Sequence, residues 1–146
     1  MAFEALLTFN ISELEGHLED RFGEGSPAQY EWSRIVFYGG VPYMPMVTNN
    51  FINLSIIASE PLFSKGELLY PGPYAHFLWA GEVYVDPETG SPWAREGVTK
   101  IPAGRPLTYN QEANALAGGA WNTRSANDNY PAWAKEFQGL VDAGVV

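Results

Sequence analysis

The sequence predicts an α+β protein, a small antiparallel β-sheet with N-terminal and C-terminal helices packed on it. Three observations carry this expectation. Helix caps and four-residue apolar spacing occupy the first forty residues, short β-rich segments broken by prolines fill residues 41–109, and helical spacing returns over residues 118–144. A chain of 146 residues can bury one sizeable core. No repeat, low-complexity tract or linker divides it, so residues 1–146 read as a single domain: an N-terminal strand and helices (1–40), a strand-rich middle (41–109) and a C-terminal helical segment (118–144).

Each element has a local reason. Phe3, Ala5, Leu7 and Phe9 alternate with Glu4, Leu6 and Thr8, the period of a short half-buried strand. Ser12 precedes Glu15 by three positions as a capping box, and Leu14, Leu18 and Phe22 follow at intervals of four, which predicts an amphipathic helix with an acidic outer face ending at Gly23 or Gly25. Ser26-Pro27 supplies the cap and first-turn proline of a second helix that lines up Trp32, Ile35 and Val36 and stops at Gly39-Gly40. FINLSII (51–57), GELLY (66–70) and EVYV (82–85) have the composition of strands. Asp86-Pro87-Glu88-Thr89-Gly90 reads as an exposed hairpin tip pairing EVYV with SPW (91–93). In the tail, AWNTRSAND (120–128) reads as a turn or helix, and Tyr130-Pro131 opens a segment with Trp133, Phe137 and Leu140 on one face, ended by Gly144.

Composition narrows the function classes. Seventeen acidic side chains oppose eight basic ones for a net charge of −9, which argues against a dedicated nucleic-acid binder, because neutralising phosphates takes a basic surface. The charge is uneven. Residues 1–31 hold seven carboxylates and one base, whereas residues 95–105 hold Arg95, Lys100 and Arg105 against Glu96. Hydrophobic residues are 46% and charged residues 17%, so the surface carries few charges, as suits a chain that meets partners. The absence of cysteine removes disulfides, thiolate metal sites and thiol nucleophiles. The acidic start lacks the basic region of a secretory signal, and no apolar run is long enough to span a bilayer, so no membrane role is expected and synthesis is expected in the cytoplasm. Without a signal, the sequons at Asn10 and Asn53 carry no consequence.

Candidate chemistry is sparse. Gly23-Glu24-Gly25-Ser26-Pro27-Ala28 matches a loose dinucleotide-loop pattern but follows a helix and sets a carboxylate where a pyrophosphate would lie, so a helix-to-helix turn is the better reading. Asp86 to Gly90 lacks the ligand ladder of a calcium loop. His17 and His76 share no metal-binding spacing, and no nucleophile motif accompanies His76. Paired carboxylates for glycoside hydrolysis depend on a separation that sequence does not display. No catalytic residue, cofactor site or metal site is assigned. The densest feature is the run YPGPYAHFLWAGEVYVDPETGSPW (70–93), whose Tyr74, Phe77, Trp79, Tyr84 and Trp93 could be core, a sugar-stacking platform or anchors of a protein interface.

The order Tyr43-Met44-Pro45, Thr48-Asn49, GELLY, PYAHFLWAG with VYVDPETGSPW, RPLTY (105–109) and Ala120-Trp121 resembles the minor capsid or neck family of tailed phages, of the siphophage head–tail connector type found with Gram-positive hosts. The resemblance spans residues 3–140 and is most specific at Tyr74-Ala75, Gly81 and VYVDPETGSPW. Where the wider family has an Asp-Thr-Gly turn after Tyr-x-Pro, this chain has Val47-Thr48-Asn49, in which Asn can take the left-handed backbone but the aspartate cap is missing. The resemblance implies a non-enzymatic structural virion protein without cofactors, a subunit of a homo-oligomeric ring at the head–tail junction. Its partners would be itself, neighbouring neck proteins, the portal-side adaptor and tail-completion proteins, with DNA at most passing through the ring. The expected interface residues are Tyr74, Trp79, Tyr84, Asp86, Pro87, Trp93, Arg95, Lys100 and Arg105. The acidic first helix (Glu13, Glu15, Glu19, Asp20) is expected to face the basic loop (Arg95, Lys100, Arg105) of a neighbouring copy, or that loop to meet another acidic ring. A reading from another class is a carbohydrate-binding module using the aromatic run 70–93.

Overall fold

A computed structural model describes residues 2–4, 21–45, 50–72 and 74–146, the first three by backbone alone. In chain order the elements are β1 (Ala2–Glu4), α1 (Pro27–Gly40), α2 (Asn50–Ser59), β2 (Glu67–Leu69), α3 (Ala75–Ala80), β3 (Glu82–Val85), β4 (Ile101–Pro106) and α4 (Trp121–Asp142), with 3-10 turns at Val41–Tyr43 and Glu60–Lys65. The fold is α+β. Its sheet component is two antiparallel pairs, β1 with β2 (Ala2 opposite Leu69) and β3 with β4 (Val85 opposite Ile101). Of the expected capping-box helix only residues 21–22 are described, helical and followed by a bend and turn over 23–25; its earlier part, the remainder of the strand running to Phe9 and the turn at Val47-Thr48-Asn49 lie outside the described residues.

Helix α1 is the centre of the molecule. Ser26 caps it as the sequence predicts, its hydroxyl accepting the Gln29 N–H at 3.1 Å, and Pro27 occupies the first turn, where a missing N–H costs nothing. Ala28, Trp32, Ile35, Val36 and Phe37 are buried together with Gln29 and Ser33, a face wider than one neighbour can cover. Two cover it, α4 on one side and the Glu60–Lys65 turn on the other. Gln29 Nε2 donates to Ser33 Oγ at 3.2 Å and Ser33 Oγ to the Phe63 carbonyl at 2.9 Å, so burial leaves these polar groups partnered. The core is largely aromatic: Phe37 stacks on Tyr70 at 5.9 Å, Tyr70 meets Trp121 edge-on at 5.2 Å, and Trp32 meets Phe137 edge-on at 5.6 Å. At Gly39 the helices α1 and α4 nearly touch, and a Cβ built there would stand 2.5 Å from the Trp133 ring.

Three expectations are corrected. FINLSII is helical, not a strand. The buried positions of α2, the helix that contains it, are Ile52, Ser55 and Ser59, a period near 3.6 hidden beneath β-branched composition. Ser59 explains why a small polar residue is buried: its hydroxyl donates to the Leu69 carbonyl at 2.9 Å and accepts the Leu69 N–H at 2.8 Å, standing in for a strand beside β2. Pro131 does not open a helix but sits inside the 22-residue α4. Pro131 and Asn127, whose carbonyl loses its N–H partner, are both exposed, so solvent can take the freed acceptor. Finally, EVYV pairs with β4 and not with SPW, so residues 86–100 form one long connection.

Candidate interaction site

The run 70–93 builds an arm on the helical core. Helix α3 ends at Gly81 (φ 74°), a left-handed position that lets the chain turn directly into β3. The joint with the core is polar. Ala120 N–H donates to the Trp79 carbonyl at 2.9 Å, Tyr109 hydroxyl donates to the Leu78 carbonyl at 2.5 Å, and Trp79 Nε1 donates to Asn122 Oδ1 at 2.8 Å. Trp79 is half-buried and packs toward the core, apart from the groove described below. The β3/β4 ribbon has a register irregularity between Glu82 and Tyr84, opposite Gly104 at φ 74°.

Asp86 organises the loop that follows. It is 0% exposed, against the expectation of an exposed hairpin tip; Pro87, Glu88, Thr89 and Gly90 are the exposed part. Oδ1 accepts the N–H groups of Glu88 at 2.9 Å and Thr89 at 3.3 Å, while Oδ2 accepts Arg95 Nε at 2.9 Å and Arg95 N–H at 3.3 Å. Its own N–H donates to Ser91 carbonyl at 2.8 Å, and its carbonyl accepts Gly90 N–H at 2.9 Å. The Arg95 guanidinium, then the Glu88 N–H, hold the Asp86 carboxyl well below the usual carboxylate range. Arg95 is committed within its own chain, bridging Asp86 and Glu88 Oε2 at 3.0 Å. Asp86 is buried inside the loop it fixes, and the exposed Arg95 has its guanidinium tied to that same loop.

Between this loop, α3 and β3 lies an open groove of about 480 Å³ lined by Tyr74, Phe77, Tyr84, Trp93, Lys100 and Glu82, with Leu78, Val83, Pro92, Ala94 and Leu107. Trp93 is 83% exposed and Tyr74 62% exposed, an unusual display of large rings to solvent. Phe77 and Tyr84 pack at 4.7 Å, and Lys100 Nζ stands 5.7 Å over the Phe77 ring. Of the nine expected interface residues the structure thus brings together Tyr74, Tyr84, Trp93 and Lys100; Pro87 and Arg105 are exposed outside the lining. His76 is exposed, its ring 6.1 Å from Tyr84.

Sequence reasoning missed the residues that hold the irregular segment 107–120. Asn114 Nδ2 donates to the Val41 and Met44 carbonyls, both at 3.1 Å, and Arg124 reaches the Gly119, Leu116 and Tyr43 carbonyls at 2.8, 3.0 and 3.3 Å. Such side chains replace absent secondary structure by satisfying backbone acceptors, and isolated polar residues announce this with no spacing rule. Among the described residues no group of three or more His, Asp or Glu side chains could hold a metal ion, and no helix is long and apolar enough to cross a membrane. The chain matches no family model, no curated protein and no solved structure.

Proposed function

We propose that this chain is a non-enzymatic structural subunit of a ring in the neck of a tailed phage, with the aromatic groove as a face that receives a neighbouring protein. The observation that carries the reading is Trp93, a large ring held out in water on a loop whose backbone is fixed by a buried aspartate. A preordered aromatic anchor loses little conformational freedom on binding, which is the property of an interface hot spot. The sequence block that most resembles neck proteins, residues 74–93, is the one that makes α3, β3 and this loop. The groove favours a protein over a sugar. Its only charged groups are one carboxylate and one ammonium, and its other polar side-chain groups, the Tyr74 and Tyr84 hydroxyls and the Trp93 indole N–H, are the polar tips of large rings, the amphipathic side chains enriched at protein interfaces.

The test is to purify virions that encode the chain and to locate it by immuno-electron microscopy. Labelling at the head–tail junction, in a ring of several copies, is the expected result. Absence from purified particles, together with retention on a polysaccharide matrix that Trp93→Ala abolishes, would replace this reading with the carbohydrate-binding one.

A further inference from the structure

Resting on the ring-subunit reading, we infer that the groove receives the outer face of α2 from a second copy of this chain, in a head-to-tail contact. The two surfaces are complementary in shape and charge. Helix α2 turns Ile52, Ser55 and Ser59 toward β2 and the Glu60–Lys65 turn, which leaves Leu54 and Ile57 pointing away from the core, Ile57 at 69% exposure. This is a convex aliphatic knob, and the arm offers a concave aromatic seat. The helix carries no charged residue of its own. One turn beyond Ile57 stands exposed Glu60, its carboxylate held by the Tyr38 hydroxyl at 3.0 Å. The groove's base is Lys100, which has no carboxylate within 4 Å among the described residues. Glu82, the groove's one acid, would meet the uncharged part of the helix.

Other modes of self-contact fit less well. Groove against groove would leave no convex surface to fill either seat. Strand addition to β4 is impeded, since Pro102 and Pro106 lack N–H groups and Gly104 bulges the strand between them. Side-chain docking remains, and two different surfaces meeting head to tail generate a ring when the rotation closes.

The chain has no cysteine, so introduced thiols report this contact without background. Asn53→Cys stands on the exposed face of α2, and Ala94→Cys stands in the groove. Under mild oxidant a mixture of the two single variants should give a disulfide-linked dimer that neither gives alone, and the double variant should give a ladder. In sedimentation, Trp93→Ala and Ile57→Glu should each weaken self-association by about 30-fold or more with unchanged circular dichroism, as for loss of an interface anchor. Wild-type self-association without the mixed cross-link, or unaffected by both substitutions, overturns this contact and leaves the neck reading standing. A chain that stays monomeric at every concentration yet is found in virions also overturns it, and assigns the groove to another virion protein. Absence from virions defeats the neck reading whatever the cross-links show.

Discussion

At Gly39 a hydrogen atom sets how closely α1 and α4 approach, because the Trp133 indole lies across it. Gly39→Ala should gain about 1 kcal/mol in helix propensity and lose more to the forced shift of a buried indole, for a net destabilisation on the order of 1–2 kcal/mol. Urea unfolding should show the midpoint fall with an unchanged slope. A stabilised variant would mean that Trp133 steps aside freely. Residues of one type were legible to different degrees. Trp93 and Trp79 belong to the same aromatic run, yet one is exposed and the other donates to Asn122. Trp93 stands on the loop after β3, whereas Trp79 belongs to the short helix α3, which turns Phe77 toward the groove and Trp79 toward the core, and a six-residue helix leaves almost no periodicity to read. Asp86 was legible as a turn residue, but its partner Arg95 is nine positions on and looked like one more loop charge.

Among the elements, those with capping chemistry were the legible ones. Ser26-Pro27 fixes the start of α1 and Gly144 the end of α4 with local bonds, Val145 N–H reaching the Leu140 carbonyl at 3.0 Å. Helix α2 was misread because composition and periodicity conflict there, and packing on β2 decides the matter. The Asp86 loop makes a prediction of its own. The folded carboxyl is held below its ordinary value, so its contribution is complete above about pH 4 and is lost as pH falls through the depressed value. After correction for intrinsic rates, amide exchange at Glu88, Thr89 and Arg95 should stay flat from neutrality to pH 4 and quicken only in stronger acid. Asp86→Asn should quicken it at neutral pH while the α1 amides are unchanged. Equal protection in the variant would show that the exposed turn, and not the carboxylate, orders the loop.

For the whole molecule, a net charge of −9 means that copies repel at long range while the proposed contact attracts locally. Lys100→Glu should weaken self-association by about 5-fold at low salt, the upper end for an exposed pair, and less as the screening length falls below about 10 Å beyond 0.1 M salt. Glu60→Lys in the same chain should restore part of the loss, as measured by sedimentation equilibrium. No restoration at any ionic strength would remove the Glu60 to Lys100 pairing. The Asp86 cluster bears on the order of events in folding. All its bonds close within residues 86–95, and loops of ten residues close in about 10–100 ns, whereas the core depends on partners such as Tyr43 and Asp128, 85 positions apart. A partly unfolded chain that keeps the arm, whose lining residues all fall between 74 and 107, would display its seat while α2, which rests on β2 and the Glu60–Lys65 turn, is still undocked. In the proposed head-to-tail contact such a chain would join a growing assembly without extending it, a chain stopper that arrests the proposed ring before it closes.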